Sequence, residues 1–288
     1  MKGFKAFGKG LVCRGKQYKE NTVFEEQEAV ICRSGMHFCE NPLDVLDYYP
    51  LVDSNGNVVE VAEVEALGEC QTDDNKKYCT NNLKIGFKLS LAEFVKAAID
   101  FAFEKSDDKV LTGDYAQLAS SGYGAKLASS GYGAQLASSG YGAKLASSGY
   151  GAKLASSGDG AKLASSGDYA KLASSGYGAQ LASSGYGAQL ASSGDGAQLA
   201  SSGDGAKLAS SGYGAQLASS GYGAVVSGIG KSNTAKGKKG SWLVLAEWGY
   251  NDIEEKYIPV CVKAAQIDGA VIKEDTFYKL ENGEFKEA

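Results

Sequence analysis

The chain has 288 residues, 43% of them hydrophobic, and carries 29 basic against 34 acidic side chains for a formal net charge of −5. That balance excludes a polybasic nucleic-acid binder, and no apolar run approaches the ~18 residues of a membrane-spanning helix, so direct membrane insertion is not expected. The opening MKGFKAFGKG lacks the apolar core of a secretion signal, so the six cysteines are expected as reduced thiols in a cytoplasmic protein.

Residues 1–112 read as an α+β domain with 14 basic and 19 acidic groups. Strand-like runs lie around Gly3–Phe7, Thr22–Phe24 and Val58–Ala66. The segment ENPLDVLDYYP predicts a short helix with Asn41 as N-cap, Pro42 in its first turn and Pro50 ending it. DSNGN at 53–57 predicts a hairpin-type turn. SLAEFVKAAIDFAFEK is the clearest helix. Ser90 and Glu93 make a capping box, and Leu91, Phe94, Val95, Ala98, Phe101 and Ala102 share one apolar face. This helix immediately precedes the repeats, and with its parent domain it is expected to cover their first coil.

Within this domain, Cys13, Cys32, His37 and Cys39 are four N/S side chains of the kind that hold zinc. Their spacing matches no recognised finger. The reading adopted is buried thiols and no cofactor.

Residues 113–229 are a nonapeptide repeat, G-[YD]-G-A-[KQ]-L-A-S-S, in thirteen units. Leucine recurs every nine residues from Leu118 to Leu217, with Val226 in the next slot, and Tyr115 and Tyr169 stand where the second glycine belongs. Such self-similarity marks an array whose units bury apolar surface only against copies of themselves. Nine residues fit no helical period, and the glycines penalise a helix. A-K-L-A-S therefore reads as a short strand with Ala and Leu inward and Lys or Gln outward, and S-G-Y-G as the corner.

The variable letter sets the coil length. Tyr and Asp come in pairs: Tyr123/Tyr132, Tyr141/Tyr150, Asp159/Asp168, Tyr177/Tyr186, Asp195/Asp204 and Tyr213/Tyr222. Coils stack about 4.8 Å apart, a spacing at which like charges repel. One unit per coil stacks Asp159 on Asp168, and three stack Asp168 on Asp195. Two units never stack Asp on Asp. The fold class is thus mainly β: a two-sheet β-solenoid of 18-residue (2 × 9) coils, flanked by the N-terminal α+β domain and a C-terminal β cap. Thirteen units give a rod roughly 30 Å long.

Residues 230–288 supply that cap, with strands in SWLVLAEW and KYIPVCVKAAQI and a last pair closed by Asn282-Gly283. KGKKG at 236–240 reads as a solvated loop. GIGKS at 228–232 lacks the spacer of a phosphate-binding loop, and Lys126 and Gln135 occupy the place where calcium-binding nonapeptide rolls need Asp.

Several segments resemble a known family. KGFKAFGKGLVCRGKQY, ICRSGMHFCENPLDVLDYYP, VAEVEALGE and NNLKIGFKLSLAEFV are similar to an uncharacterised domain family common in bacteriophages and gut bacteria. There the domain is often followed by short repeats and a tail like DGAVIKEDTFYKLENGEF. The resemblance implies a phage or mobile-element setting and no particular activity. Separately, Arg14, the GMHFCENPLDVLDYY segment and Glu65 within EVE at 63–65 loosely resemble ADP-ribosyltransferases, although the middle segment lacks their Ser/Thr-rich strand. The GYG corner is similar to ice-nucleation repeats, but those use 16-residue coils and threonine-rich faces.

The function expected is that of a non-enzymatic structural or binding rod. It presents Tyr and Lys/Gln ladders to a protein partner or another copy; nucleic acid is not an expected partner. The binding residues are Tyr123, Tyr132, Tyr141, Tyr150, Tyr177, Tyr186, Tyr213 and Tyr222, with the first four as the largest block. The alternatives are a phage inhibitor that binds a host defence protein or enzyme, and a transferase-like N-terminal domain.

Overall fold

The computed structural model describes every residue except Cys32, 53–57, 105–109 and 112, and divides at Phe101/Ala102 into two units. The expected DSNGN turn lies outside the described residues; flanking it, Val52 and Val58 form an isolated antiparallel bridge.

In the first unit, seven of the described strands form an antiparallel sheet, and Val12–Cys13 and Lys16–Gln17 pair separately as a hairpin. The order of the sheet is Thr22–Glu25, Asn82–Leu89, Glu60–Ala66, Lys2–Phe7, Met36–Cys39, Lys77–Thr80 and Gln71–Thr72. Alternation places Phe7, Met36, Phe38, Val64, Leu83 and Ile85 in one core. Three of these strands match the sequence reading to within two residues. Met36–Cys39, Lys77–Thr80 and Asn82–Leu89 were not expected: the first is only four residues long, the second has Cys79 as its one buried hydrophobic side chain, and the third buries only Leu83 and Ile85 among its eight residues. The predicted short helix forms at Pro42–Asp47 as a 3-10 helix, with Leu43 N–H donating to Asn41 Oδ1 at 3.0 Å. The Leu91–Glu104 helix starts on the expected capping box: Ser90 N and Oγ donate to Glu93 Oε2 at 2.7 and 2.8 Å. Phe94, Val95, Ala98 and Ile99 are its buried side chains among those described.

The second unit is built around the solenoid. Coils of 18 residues, about seven of them, pair every strand in parallel with the strand 18 residues on: Leu127 with Leu145, Leu136 with Leu154. One sheet, A, runs from Gln117–Ser120 through Gln135–Ser138 and Lys153–Ser156 to Val225–Gly228. The other, B, runs from Val110–Leu111 through Lys126–Ser129, Lys144–Ser147 and Lys162–Ser165 to Gln216–Ser219 and beyond. Leucines from both sheets meet between them, padded by the alanine before each Lys/Gln, as at Ala143 and Ala152. Burying each leucine contributes roughly 1.5–3 kcal/mol.

A serine row also faces inward. Ser129, Ser147, Ser165 and Ser183 have no exposed surface. The Oγ of Ser147 accepts from Gly149 N–H at 3.2 Å, and the same bond recurs coil after coil, so the buried hydroxyls hold the corners. Lys and Gln point away from the leucines on both sheets, but exposure differs. On sheet A, Lys153, Lys171, Gln189 and Lys207 are exposed, whereas Lys144 and Lys162 on sheet B are 9% and 4% exposed.

The C-terminal residues continue the sheets and close this end of the core. Trp242–Asn251 adds to sheet A in parallel, then turns into the antiparallel Lys256–Gln266. Tyr278–Glu281 joins sheet B at Ala235 and pairs with Glu284–Glu287 across Asn282-Gly283, whose φ of 53° and 69° fit a type I′ turn. Glu247 accepts from both turn N–H groups, at 2.9 and 2.7 Å. Ile267, Ile272, Tyr278 and Leu280 complete the solenoid core. The last strand of sheet A is an edge. Lys256, Pro259 and Lys263 lie on it, residues that discourage further strand pairing.

Candidate functional site

Each solenoid corner reads S-S-G-[YD]-G, and each position has a steric reason. The first glycine lies directly over the coil below, where a Cβ on Gly149 would overlap Gly131 O. The second has positive φ, 65° at Gly151, where glycine is favoured. Between them stands the variable Tyr or Asp.

The aspartates are backbone acceptors. Asp159 Oδ1 accepts from Tyr177 N–H at 2.8 Å, and Asp114, Asp168, Asp195 and Asp204 do the same for Tyr132, Tyr186, Tyr213 and Tyr222 at 2.8–2.9 Å. The sequence reading assigned Asp only by charge avoidance. This bond to the main chain of the next coil is a second role for Asp, and it asks only for an N–H at the position 18 residues on.

The eight tyrosines named from the sequence are all 47–80% exposed, but they fall on two separate edges. Tyr123, Tyr141, Tyr177 and Tyr213 follow sheet A strands; Tyr132, Tyr150, Tyr186 and Tyr222 follow sheet B strands. The expected block of four therefore divides into two stacked pairs, Tyr123–Tyr141 at 5.3 Å and Tyr132–Tyr150 at 5.4 Å between ring centroids. A strand leads away from every corner, so successive units alternate edges.

The second edge holds a longer structure. Tyr115, Tyr132, Tyr150, Tyr169 and Tyr186 form one unbroken column with successive centroids 5.3–5.5 Å apart. At Asp168 the ring is supplied by the next residue, Tyr169, which sits in the second glycine's slot at φ 55°. The first edge has no such substitute: Asp159 is followed by Gly160, and among the described residues no ring bridges Tyr141 to Tyr177. The signal was present in the sequence as the two Asp-Tyr dipeptides, 114–115 and 168–169. Next to the first edge, the outer face of sheet A forms an open groove of about 1090 Å³ walled by repeated Ala and Ser, such as Ala137 and Ser139.

The first unit contains its own cavity, about 690 Å³. Its wall includes Lys5, Arg14, Lys16, Arg33, His37 and Lys77, and also Cys13, Cys39, Tyr18 and Tyr49. Lys5 is 5% exposed and donates to His37 O at 2.9 Å. Burial holds its amine below the usual lysine range. Burial, reinforced by the charges of Lys5, Arg14 and Lys77, pulls His37 down to about 4, so the imidazole is neutral at pH 7. Burial raises the Tyr49 phenol, which shares a hydrogen bond with Cys13 Sγ at 2.8 Å.

The zinc candidates Cys13, His37 and Cys39 line this cavity, while Cys32 lies outside the described residues. Among the described residues no three His, Cys, Asp or Glu side chains group to hold a metal ion. Of the transferase-like residues, Arg14 is on the cavity wall, whereas Glu63 and Glu65 lie on the Glu60–Ala66 strand and are not part of it. In KGKKG, Lys238 pairs with Asp275 at 2.7 Å and Lys236 sits 4.9 Å from the Phe277 ring centroid. No helix among the described residues is long and apolar enough to cross a membrane.

Comparison with curated proteins and with solved structures gives no match. Residues 1–97 match the family model described as "Domain of unknown function (DUF7666)", which leaves the solenoid and the C-terminal strands, including DGAVIKEDTFYKLENGEF, outside the match.

Proposed function

We propose that the chain is a non-enzymatic binding protein whose solenoid holds tyrosine columns rigidly against a protein surface, and that Tyr115–Tyr132–Tyr150–Tyr169–Tyr186 is the principal contact. The solenoid fold itself suggests a structural or binding role. The observation that carries the finer reading is Tyr169. A left-handed non-glycine residue costs on the order of 1 kcal/mol, and the chain accepts it at the coil where Asp168 has displaced the ring. The rings are 44–63% exposed. At 150–250 Å² per aromatic side chain, the column leaves on the order of 500 Å² of surface, the size of a functional patch.

Tyrosine brings large area with few torsions to freeze, and a parallel ladder fixes ring positions before contact, so little ordering entropy is lost on binding. The exposed Lys/Gln row of sheet A offers a polar surface beside the first edge. In the phage or mobile-element setting implied by the sequence resemblance, the partner is a host protein and the rod acts by occupying it.

The test is replacement of Tyr132 and Tyr150 by Asn and of Tyr169 by Gly; Asn removes the ring without a charge, so no carboxylates stack between Asp114 and Asp168. Sedimentation of the purified chain reads self-association, and affinity capture from expressing cells with mass spectrometry reads a foreign partner. We expect the variant to lose the associated species by at least 100-fold while its circular dichroism is unchanged. Retention of the same species would show that the column only stabilises the rod.

A further inference from the structure

The cavity of the first unit has a charge that its surroundings lack. Residues 1–101 contain twelve basic and sixteen acidic side chains, yet the cavity wall holds five of the former and two of the latter, Glu26 and Asp47. Glu26 is already engaged, bonded to Lys16 Nζ at 2.9 Å and to Gly35 N–H at 3.0 Å. Arg14 and Arg33 have no ion pair or side-chain hydrogen bond among the described residues. Lys5, at the buried end, is hydrogen-bonded to His37 O and to the Cys13 side chain, contacts the rings of Phe7 and Tyr18 at 5.4 and 5.6 Å from their centroids, and has no described carboxylate partner. A buried cation without a counter-charge is costly, and several cations converging on one space repel each other.

The backbone adds a second observation. Val12–Cys13 and Lys16–Gln17 are joined by a tight turn at Arg14-Gly15, with φ of 50° and 76°. Such turns favour Asn or Asp with Gly. Arginine takes the strained first position here, and its side chain stands on the wall. Strain of this kind concentrates where a ligand is held.

We propose that this cavity binds a small organic phosphate, gripped by Arg14, Arg33, Lys16 and Lys77 around the buried Lys5. Planar guanidinium forks match phosphate oxygens two at a time. A diphosphate supplies the two to three negative charges that the wall's surplus of cations calls for, which a single carboxylate does not. The volume lies within the roughly 300–1,000 Å³ of small-molecule sites, and Tyr48, with Lys77 4.7 Å from its ring centroid, offers an aromatic flank for the organic part. The net acidity of the unit disfavours a long nucleic acid. The proposal is independent of the tyrosine columns.

The experiment is calorimetric titration of the full chain with pyrophosphate, ADP and adenosine at low salt. Pyrophosphate and ADP should bind and adenosine should give no measurable heat. Arg33→Gln and Lys77→Gln should each weaken ADP about tenfold or more. Arg33→Lys, which keeps the charge but loses the planar fork, should bind ADP more tightly than Arg33→Gln and more weakly than wild type, and Lys19→Gln, an exposed cation off the wall, should change nothing. Far-UV circular dichroism verifies that each variant is folded. The proposal is overturned if folded wild-type chain binds neither phosphate ligand, if ADP fails where pyrophosphate binds, or if adenosine binds as well as ADP. It is equally overturned if the two neutral wall variants behave like Lys19→Gln.

Discussion

The two edges of the solenoid are made from the same nine-residue unit and differ in one respect. On the first edge Asp159 replaces a ring and a gap opens between Tyr141 and Tyr177. On the second, Asp168 replaces a ring and Tyr169 restores it. The comparison separates the jobs of Tyr and Asp, which alternate at one position of the repeat. The Asp carboxylate serves the backbone of the next coil, and the ring serves the surface. Only an Asp-Tyr dipeptide does both, at the cost of a left-handed tyrosine.

The largest expected effect breaks the corner that both edges depend on. Gly149→Ala or Gly167→Ala places a Cβ onto the backbone of the coil below, where nothing flexible can yield. Each should destabilise the rod by about 4 kcal/mol or more, the range of severe core disruption, measured as a shift in the denaturation midpoint. Gly160→Ala meets open space but a φ of 65°, and should cost only about 1 kcal/mol. Equal costs at the two glycines would refute the separation of steric and conformational roles.

Next in size is the core that the edges share. Leu163→Ala removes a side chain 1% exposed, in contact with leucines above and below, and should cost about 2–5 kcal/mol.

Asp159→Ala and Asp168→Ala test the backbone role. Each loses one charge-assisted bond to a main-chain N–H, about 1 kcal/mol, and the two losses should agree because the bond is the same on both edges. A loss confined to Asp168 would tie the carboxylate to the aromatic column instead.

The smallest stability change is expected where the comparison is sharpest. Tyr169→Gly relieves the left-handed strain and removes ring contacts of about 0.5–1.5 kcal/mol, so its midpoint should move by less than about 1 kcal/mol while association falls. The reciprocal Gly160→Tyr should close the gap on the first edge and create a second column. Ring contacts there are visible as altered tyrosine near-ultraviolet circular dichroism, and an unchanged spectrum would show that the slot does not aim the ring.

Repetition is why so much of the solenoid was legible. With one unit copied thirteen times, any error in register is multiplied along the rod, so the pattern of leucines and aspartates alone selects 18-residue coils. The Asn282-Gly283 hairpin and the Ser90–Glu93 cap were legible for the same local reason: each is specified by residues within four positions of each other. The seven-stranded sheet was only half readable. Lys2–Phe7 pairs with Glu60–Ala66, and Met36–Cys39 with Lys77–Thr80, across separations that no short-range pattern encodes.

The sequence by itself determined the coil length, the inward leucines, the outward orientation of Lys and Gln and the exposure of the corner tyrosines, because these follow from period and alternation. Tertiary structure alone decided that Tyr169, in the second glycine's slot, fills the gap that Asp168 leaves, since the coil length fixes which positions stack and not where a ring one residue along is aimed. It also decided that Ser147 faces inward to hold Gly149, that Asp168 bonds the coil above, and that Lys5, Arg14, Arg33 and Lys77 meet around one cavity. Those residues are up to 72 positions apart in the chain, and only the pairing of non-adjacent strands brings their charges together.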